Sequence, residues 1–492
     1  MSENQSSYRQ VVKATSVFGG VQVFNILISL VRSKFIAVLL GPTGTGFMGL
    51  LNTPIGFIQN LTGMGIGFSA VRDISEANET GDQKRLSKTL LVFRRWTWFT
   101  GLLGMLVVLV LAPFLSKFSF GDNSQTIAFI LLSATLLLSS LSGGQSAILR
   151  GTRRIKDTAK AGIWGSLLGL ITSIPLYYFY GINGIVPSLI IASIVGLLLS
   201  WYYSRRVKIV PVTVSYKDTI NSGKEMISLG FVMTLSSLIG SAVSYLVILF
   251  ISYFGGADQV GLYTGGWSIT NQYVGLLFAA MGADYYPKLA GIHKDNQKVK
   301  EAVNQQAEIS ILIIAPIMLL YLISLPLLIR LLYTTAYLPI LQFAQWVAIG
   351  MLFKTASWCM GFIFAAKGDK KMFFNVELIA NVLLLALYIG GYYFLHLEGL
   401  GVAFTILYII YCSYVYLICR KKYSFNFTRP FINLFFFFLV VTLVAFLSIY
   451  CIKGTMGYLF AVLCFLIATI YSFKELDQRI GIKEFIKNKF KK

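Results

Sequence analysis

Three basic side chains lie well away from the ends of long apolar runs, where no water is available to solvate a charge. Arg32 and Lys34 lie in the run 14–40, and Lys354 lies in the run 338–366. A charged residue near the centre of a membrane helix costs about 2.5–3.5 kcal/mol on the insertion scale. Because this cost needs compensation, we predict that Arg32 and Lys354 face a water-filled space and bind an anionic ligand. The alternatives are an ion pair with an Asp or Glu of a neighbouring helix, and packing around water.

The face that carries Arg32 is polar over three helical turns. Its polar residues are spaced at i, i+3, i+7 and i+10. They are Gln22, Asn25, Ser29 and Arg32. This spacing places all four on one side of a helix, which therefore cannot face lipid. Lys34 lies about 200° around the same helix from Arg32. Its long stem reaches either a cavity or the outer headgroups.

Neutral polar residues mark two further runs. Asn52, Gln59 and Asn60 belong to the run 46–70. Thr264, Ser268, Asn271 and Gln272 belong to the run 260–283. These side chains suit sugar hydroxyls as ligands and equally suit hydrogen bonds between helices, so both interpretations stay open.

The composition sets the elements that must position these residues. Hydrophobic residues make up 56% of the 492 residues, charged residues make up 13%, and the mean hydropathy is +0.72. Fourteen apolar runs approach the length that crosses about 30 Å of hydrocarbon. The runs are 14–40, 46–70, 96–116, 126–149, 159–180, 183–203, 227–253, 260–283, 308–333, 338–366, 372–395, 399–419, 431–452 and 456–473. They are too long and too uniformly apolar for barrel strands, so we predict an all-α integral membrane protein of about fourteen transmembrane helices.

The distribution of basic residues indicates how the chain is oriented in the membrane. Most of the 42 basic residues fall in every second gap between runs, whereas the intervening gaps contain only Lys117 and Lys453. This is the positive-inside pattern, and it places both termini in the cytoplasm. The net charge of +22 is therefore explained by insertion and by attraction to anionic lipids. We do not expect a nucleic-acid partner.

The first twelve runs form an internal duplication. Gly46 recurs as Gly261 and Arg72 recurs as Lys288, at offsets of 215 and 216 residues. With six helices in each copy, both copies have the same orientation and an axis along the membrane normal. We predict two six-helix lobes, 1–204 and 205–422, around a central cavity. Two C-terminal helices (423–473) and a basic cytoplasmic tail (474–492) follow.

Acidic residues lie toward the cytoplasmic ends of the runs. A cavity with basic residues inside and carboxylates at its inner rim favours an anion such as a phosphate, because phosphate oxygens accept charge-assisted hydrogen bonds. An exporter of organic cations needs the opposite arrangement. Asp284, Glu308 and Glu377 are the candidates for exchange of a proton or sodium ion. The alternative for each of them is a salt bridge with Lys288 or Lys300.

Missing motifs exclude several classes of protein. The sequence has no phosphate-binding loop of the type G-x-x-x-x-G-K-[ST], which argues against ATP hydrolysis by this chain. It has two histidines, and its five cysteines all fall in apolar runs, so we expect neither a metal site nor a cofactor. The outer gaps are too short for the catalytic loops of membrane glycosyltransferases, ligases or polymerases. We therefore predict that the protein is not an enzyme.

Several stretches resemble a known family. They are Ser33–Gly46, Gly63–Gly67 followed by Arg72, Val260–Tyr263 with Tyr286–Leu289, and Phe343–Trp346 continuing through Lys354 to Gly368. On these stretches the chain resembles Wzx-type polysaccharide or O-antigen flippases of the multidrug, oligosaccharidyl-lipid and polysaccharide exporter superfamily. The match is long, and none of its stretches is a catalytic motif.

The resemblance implies a substrate and a location. It implies transfer of an undecaprenyl-pyrophosphate-linked oligosaccharide from the inner to the outer leaflet of a bacterial inner membrane, by alternating access around a cationic cavity. The candidate partners are membrane lipids and the polymerase and chain-length machinery of surface polysaccharide synthesis. The alternatives are a lipid II flippase, a cation-coupled drug exporter and, further away, a membrane glycosyltransferase or polymerase.

Overall fold

The chain folds into helices joined by turns and short irregular segments over the part that the structure describes. A computed structural model describes residues 24, 27–452 and 454–480. The helices are α1 Leu27–Leu39, α2 Gly41–Gly63, α3 Ile66–Glu79, α4 Gln83–Phe120, α5 Thr126–Gly151, α6 Ile155–Tyr180, α7 Ile185–Ser204, α8 Tyr216–Gly291, α9 Asn296–Leu332, α10 Ile340–Ala366, α11 Lys370–Tyr423, α12 Arg429–Cys451 and α13 Thr455–Ile480. Two 3₁₀ turns, Gly181–Gly184 and Thr335–Tyr337, complete the described part.

Most of these helices are long enough and apolar enough to cross a membrane. Nine helical stretches of the described residues meet this description, or ten if the bent pair α1 and α2 forms one span. The longest stretches contain breaks: a 3₁₀ turn at Gly181–Gly184, and non-helical backbone at Gly256 and at His396. Each break lies between two predicted runs. The predicted fold class is confirmed, and the number of fourteen crossings stays a prediction.

The first two predicted helices differ from those of the structure. The loop expected at 41–45 is helical, because α2 begins at Gly41 directly after a bend of 119° from α1. The continuous helix predicted over 46–70 is wrong. Met64 and Gly65 both adopt the left-handed conformation, with φ of 48° and 63°, and separate α2 from α3. Glycines at 63, 65 and 67 lower helix propensity here, an effect that a hydropathy average does not register.

The chain forms two compact units. Unit 1 comprises Met1–Gly261 and Leu332–Thr334, and unit 2 comprises Leu262–Leu331 and Thr335–Lys492. In unit 1, buried apolar side chains of α2, α4 and α5 form one core, and α3 packs on α4 and α5 in a second. In unit 2, one continuous core joins α9, α10, α11, α12 and α13. The domain boundaries drawn from the repeat stay a prediction.

The segment between α7 and α8 is held against α4. Arg95 donates to the carbonyl oxygen of Val214 at 3.0 Å and to the hydroxyl of Thr219 at 2.7 Å. Trp96 Nε1 donates to the carbonyl oxygen of Thr219 at 2.9 Å. These bonds satisfy backbone groups that the irregular segment leaves unpaired, and they fix the start of α8 within unit 1.

Two glycines of unit 1 allow α2 and α8 to touch along their backbones. A Cβ at Gly46 would overlap the carbonyl oxygen of Ala257, and a Cβ at Gly261 would overlap the carbonyl oxygen of Pro42. The contact is reciprocal, because Pro42 with Ala257 and Gly46 with Gly261 are both separated by 215 residues. The 215-residue offset of the predicted duplication therefore also relates the residues that meet in this contact.

We predict that Gly46→Ala and Gly261→Ala each destabilise the protein by about 1–3 kcal/mol, because the new methyl group must displace backbone. The measurement is the melting temperature of the purified protein in detergent. Gly56→Ala is the matched control, since a Cβ at Gly56 on the same helix meets no atom within 4 Å. Equal melting temperatures for all three variants would contradict the close approach.

Candidate functional site

Lys354 lies in the wall of a cavity within unit 2. The cavity has a volume of about 460 Å³ and is bounded by α10 and α11. It is lined by Lys354, Ser357, Trp358, Gly361, Phe362, Phe364, Ala365, Phe373, Val376, Glu377, Tyr408 and Tyr411. Most of this lining is aromatic or aliphatic, so a charge inside it interacts strongly with whatever enters.

Aromatic rings surround the ammonium group of Lys354. Its Nζ lies 5.8 Å from the ring centre of Phe278, 5.9 Å from that of Phe404 and 5.4 Å from that of Tyr408. These are cation–π distances, which compensate part of the desolvation without neutralising the charge. Among the side chains that the structure describes, no carboxylate lies within ion-pair distance of Lys354. The predicted intramembrane cation is thus held by rings.

Close packing between α10 and α11 holds the rings in place. Gly350 lies against the ring of Phe404, where a Cβ would come within 2.6 Å of a ring carbon. Thr405 on α11 donates to the carbonyl oxygen of Trp346 on α10 at 2.7 Å. These contacts fix the register of the two helices, and with it the position of Phe404 and Tyr408 relative to Lys354.

Glu377 lines the same cavity. It projects from α11, is partly buried, and shares the wall with Tyr411 and Val376. The cavity therefore combines one cation and one carboxylate in otherwise aromatic and aliphatic surroundings. Of the two acidic candidates whose side chains the structure describes, Glu377 is the one that lines the same cavity as a basic candidate.

Glu308 is engaged elsewhere in unit 2. Its Oε2 accepts a hydrogen bond from Arg479 of α13 at 2.9 Å, and its Oε1 accepts one from the Thr428 hydroxyl at 3.3 Å. The sequence interpretation named Lys288 and Lys300 as alternative partners, and the structure gives Arg479 instead. The side chain of Asp284 lies outside the described part. A role of Glu308 or Asp284 in ion exchange stays a prediction.

A second cavity lies within unit 1 at the break between α2 and α3. Its volume is about 320 Å³. The lining residues are Gln59, Asn60, Thr62, Gly63, Gly65, Ile66, Gly67, Phe93, Thr97, Thr100, Leu136, Ser139, Ser140, Gly143, Gly144, Arg150 and Thr234. The lining is rich in hydroxyl groups, amides and glycines. Of the neutral polar candidates from the sequence, Gln59 and Asn60 lie here.

Arg32 and Lys34 line neither of these cavities. Both are partly buried on α1. Lys34 Nζ donates to the carbonyl oxygen of Tyr333, which belongs to unit 1, rather than reaching headgroups. The Nε of Arg32 is buried and has no hydrogen-bond partner among the described residues. Arg32 thus keeps unused donor capacity, and its role in binding stays a prediction.

The structure does not place the remaining predicted ligand residues in either cavity. Asn52 is exposed on α2 and lines neither cavity. Asn25 lies outside the described residues, as do the side chains of Asn271 and Gln272 on α8. The sequence interpretation missed the polar wall that α5 contributes to the unit 1 cavity. The run of Ser and Gly from Ser139 to Gly144 was the signal that could have revealed it.

Asp369 fixes the turn between the two helices that form the Lys354 cavity. Its carboxylate accepts from Lys422 and, at 2.6 Å, from the hydroxyl of Tyr423, and it caps α11 through the N–H of Met372. The bond from Lys422 and then the bond from Tyr423 lower the pKa of Asp369 below its ordinary value. The two ends of α11 are thereby tied together.

The comparisons with known proteins agree with this architecture. The family model described as "Polysaccharide biosynthesis protein" matches residues 35–342. A protein of Shigella flexneri named "Putative O-antigen transporter" is 27% identical over 60% of this chain and 70% of its own length. The "Lipid III flippase" of Escherichia coli (strain K12) is 22% identical over 80% of this chain and 95% of its own length.

Solved structures show the same fold. An inward-facing multidrug resistance MATE family transporter of the MOP superfamily matches with a TM-score of 0.70 and 17% identity, over 81% of this chain and 94% of its own. The lipid II flippase MurJ in an inward closed conformation matches with a TM-score of 0.70 and 13% identity, over 95% and 99%. The fold is thus that of a multi-pass transporter of the multidrug, oligosaccharidyl-lipid and polysaccharide superfamily, as predicted. Within it, the chain belongs to the polysaccharide biosynthesis protein family.

We predict that Asp369→Asn lowers stability at neutral pH by about 0.2–1 kcal/mol, because Asn keeps the helix cap but loses the ion pair. Since the folded pKa is lowered, this stabilisation is fully present above the ordinary Asp value of about 3.9 and is lost as the pH falls through the folded pKa. Melting temperatures of the two proteins should differ at pH 7 and converge as the pH falls through the folded pKa of Asp369. A constant difference would contradict the assignment.

Proposed function

We propose that this protein is a flippase that transfers an undecaprenyl-pyrophosphate-linked oligosaccharide from the inner to the outer leaflet of the bacterial inner membrane. The observation that carries the proposal is Lys354, a cation held by aromatic rings in a cavity of a membrane-spanning unit. The family membership and the named relatives, an O-antigen transporter and a lipid III flippase, support it.

The chemistry of the cavity suits a pyrophosphate. An ammonium group with no described carboxylate within ion-pair distance attracts an anion strongly in apolar surroundings. Lys is a point charge with three rotatable donors, so it follows a phosphate group through changes in geometry. The adjoining Trp358, Phe362 and Phe373 offer apolar surface to the first isoprene units.

Transfer requires that the headgroup gain access to each side of the membrane in turn. We assign this to alternating access, with the carboxylate of Glu377 exchanging a proton or sodium ion between the two access states. The position of Glu377 beside Lys354 in one cavity supports the assignment, because a change of charge on either group alters the field at the other. Polymerase and chain-length proteins are the proposed downstream partners.

A lipid II flippase is the second candidate. It is favoured by the match to a lipid II flippase over 95% of this chain, although at 13% identity that match shows the fold alone. Both candidates share the undecaprenyl pyrophosphate and differ in the glycan, so the Lys354 cavity supports both. A cation-coupled drug exporter is disfavoured, because Lys354 repels a cationic drug.

We predict that Lys354→Ala reduces surface glycan at least about tenfold, since loss of a desolvated charge contact costs about 2 kcal/mol or more. Lys354→Arg should keep part of the activity, because it keeps the charge. The measurement is surface polysaccharide in a deletion strain that carries each variant, normalised to membrane-inserted protein. Lys371→Ala is the control, because Lys371 is exposed on α11 and lines neither cavity. Wild-type glycan from Lys354→Ala would refute the proposal.

We predict that Glu377→Gln removes the gradient dependence of transport, because the amide cannot exchange an ion. Transfer of a labelled lipid-linked oligosaccharide is followed in proteoliposomes with imposed proton or sodium gradients. Glu301→Gln is the control, as Glu301 is exposed and bonds only locally to Gln297 at 2.8 Å. Equal rates under every gradient for the wild type would remove Glu377 from coupling and favour transfer driven by downstream polymerisation.

A further inference from the structure

The cavity of unit 1 has a polar wall with little charge, unlike the cavity around Lys354. Three threonines and two serines contribute hydroxyl groups from α2, α4 and α5, namely Thr62, Thr97, Thr100, Ser139 and Ser140. Gln59 and Asn60 contribute amides, and Arg150 is the one charged side chain in the lining that the structure describes. Arg150 is exposed, and the rest of the wall selects a ligand by hydrogen bonding.

Much of the wall accepts hydrogen bonds. The hydroxyl of Thr62 donates to the carbonyl oxygen of Ile58 at 2.9 Å, and the hydroxyl of Thr97 donates to that of Phe93 at 2.8 Å. A hydroxyl has one proton and two lone pairs. Because these two groups already donate their proton to a carbonyl oxygen, they can only accept a hydrogen bond from a ligand. Asn60 donates one of the two N–H groups of its Nδ2 to the hydroxyl of Ser241 at 2.8 Å, and its Oδ1 is a further acceptor.

Donors are available at other points of the same wall. No side chain caps the start of α3 at Gly65, and the first-turn residues Ile66 and Gly67 line the cavity. Gln59 and Ser139 have no hydrogen-bond partner among the described residues and add an amide and a hydroxyl. Acceptors and donors are thus mixed across the wall.

This mixture matches a polyhydroxyl ligand. A sugar hydroxyl both donates and accepts, whereas an ionised phosphate only accepts and would leave the acceptors of the wall unpaired. The volume of about 320 Å³ falls within the range of about 300–1,000 Å³ of small-molecule pockets. We propose that this cavity binds a neutral sugar of the lipid-linked oligosaccharide. The inference rests on the proposed function, which supplies a substrate with both a glycan and a pyrophosphate.

Gly143 offers a way to fill this cavity selectively. It lies on α5 in the wall, and a Cβ at this position meets no atom within 4 Å. A leucine there would occupy space that the ligand needs without overlapping backbone. Gly390 on α11 is the matched control, since its Cβ also meets no atom within 4 Å and it lines neither cavity.

The experiment measures binding of two probes to the purified full chain in nanodiscs. One probe is undecaprenyl pyrophosphate without sugar, and the other is the lipid-linked oligosaccharide extracted from host cells depleted of this protein. The wild type and Gly390→Leu should bind the oligosaccharide probe at least about tenfold more tightly than the sugarless lipid, the equivalent of one or two hydrogen bonds. Gly143→Leu should lose this difference and bind the sugarless lipid as before, whereas Lys354→Ala should weaken binding of both probes.

The outcomes separate this inference from the proposed function. Equal affinity of the wild type for both probes, or an unchanged preference in Gly143→Leu, would overturn the sugar site and leave the flippase proposal standing. Weaker binding of the sugarless lipid by Gly143→Leu would assign the cavity to the pyrophosphate instead. Binding of neither probe by the wild type would refute the proposed function itself. Ser139→Ala adds no volume and should lower the preference severalfold, so an unchanged preference in this variant also counts against the site.

Discussion

Backbone N–H and C=O groups in hydrocarbon must find their partners within the protein, and this constraint determines where the chain can be irregular. Most breaks in the long helices, at Gly181–Gly184, Gly256 and His396, fall between predicted spans. The break at Met64–Gly65 falls within one, and it borders the polar cavity of unit 1. The irregular backbone there therefore lies beside hydroxyl and amide side chains rather than in a purely apolar wall.

The same constraint applies to charge. Lys354 remains within an apolar unit because three rings surround its ammonium group, and those rings depend on the tight contact of α10 with α11 at Gly350 and Thr405. A carboxylate in direct contact would have stabilised the lysine more, but it would also have cancelled the field that an anionic ligand uses. The rings therefore offset only part of the cost of burying the ammonium charge, and the rest of its field is available to attract an anionic ligand.

The sequence predicts the class of protein well because hydropathy and the alternation of basic residues are properties of single spans. Lys354 could be identified for the same reason, since a lysine in an apolar run is costly wherever its neighbours lie. The cavity around Ser139 and Gly143 was missed, because hydroxyl groups that form a wall and hydroxyl groups that bond within their own helix have the same spacing. The bend at Leu40 and the break at Met64 were not predicted for a related reason, because hydropathy averages over a window do not record backbone conformation.

The contact between Gly46 and Gly261 has an implication for the origin of the fold. Pro42 and Gly46 meet Ala257 and Gly261 in a reciprocal arrangement, in which each half supplies the same pair of positions. Reciprocity of this kind is the property of an isologous interface in a two-fold symmetric dimer. Under the duplication predicted from the sequence, a single half would associate with a second copy through this glycine pair, and fusion of the two would convert an association between chains into packing within one.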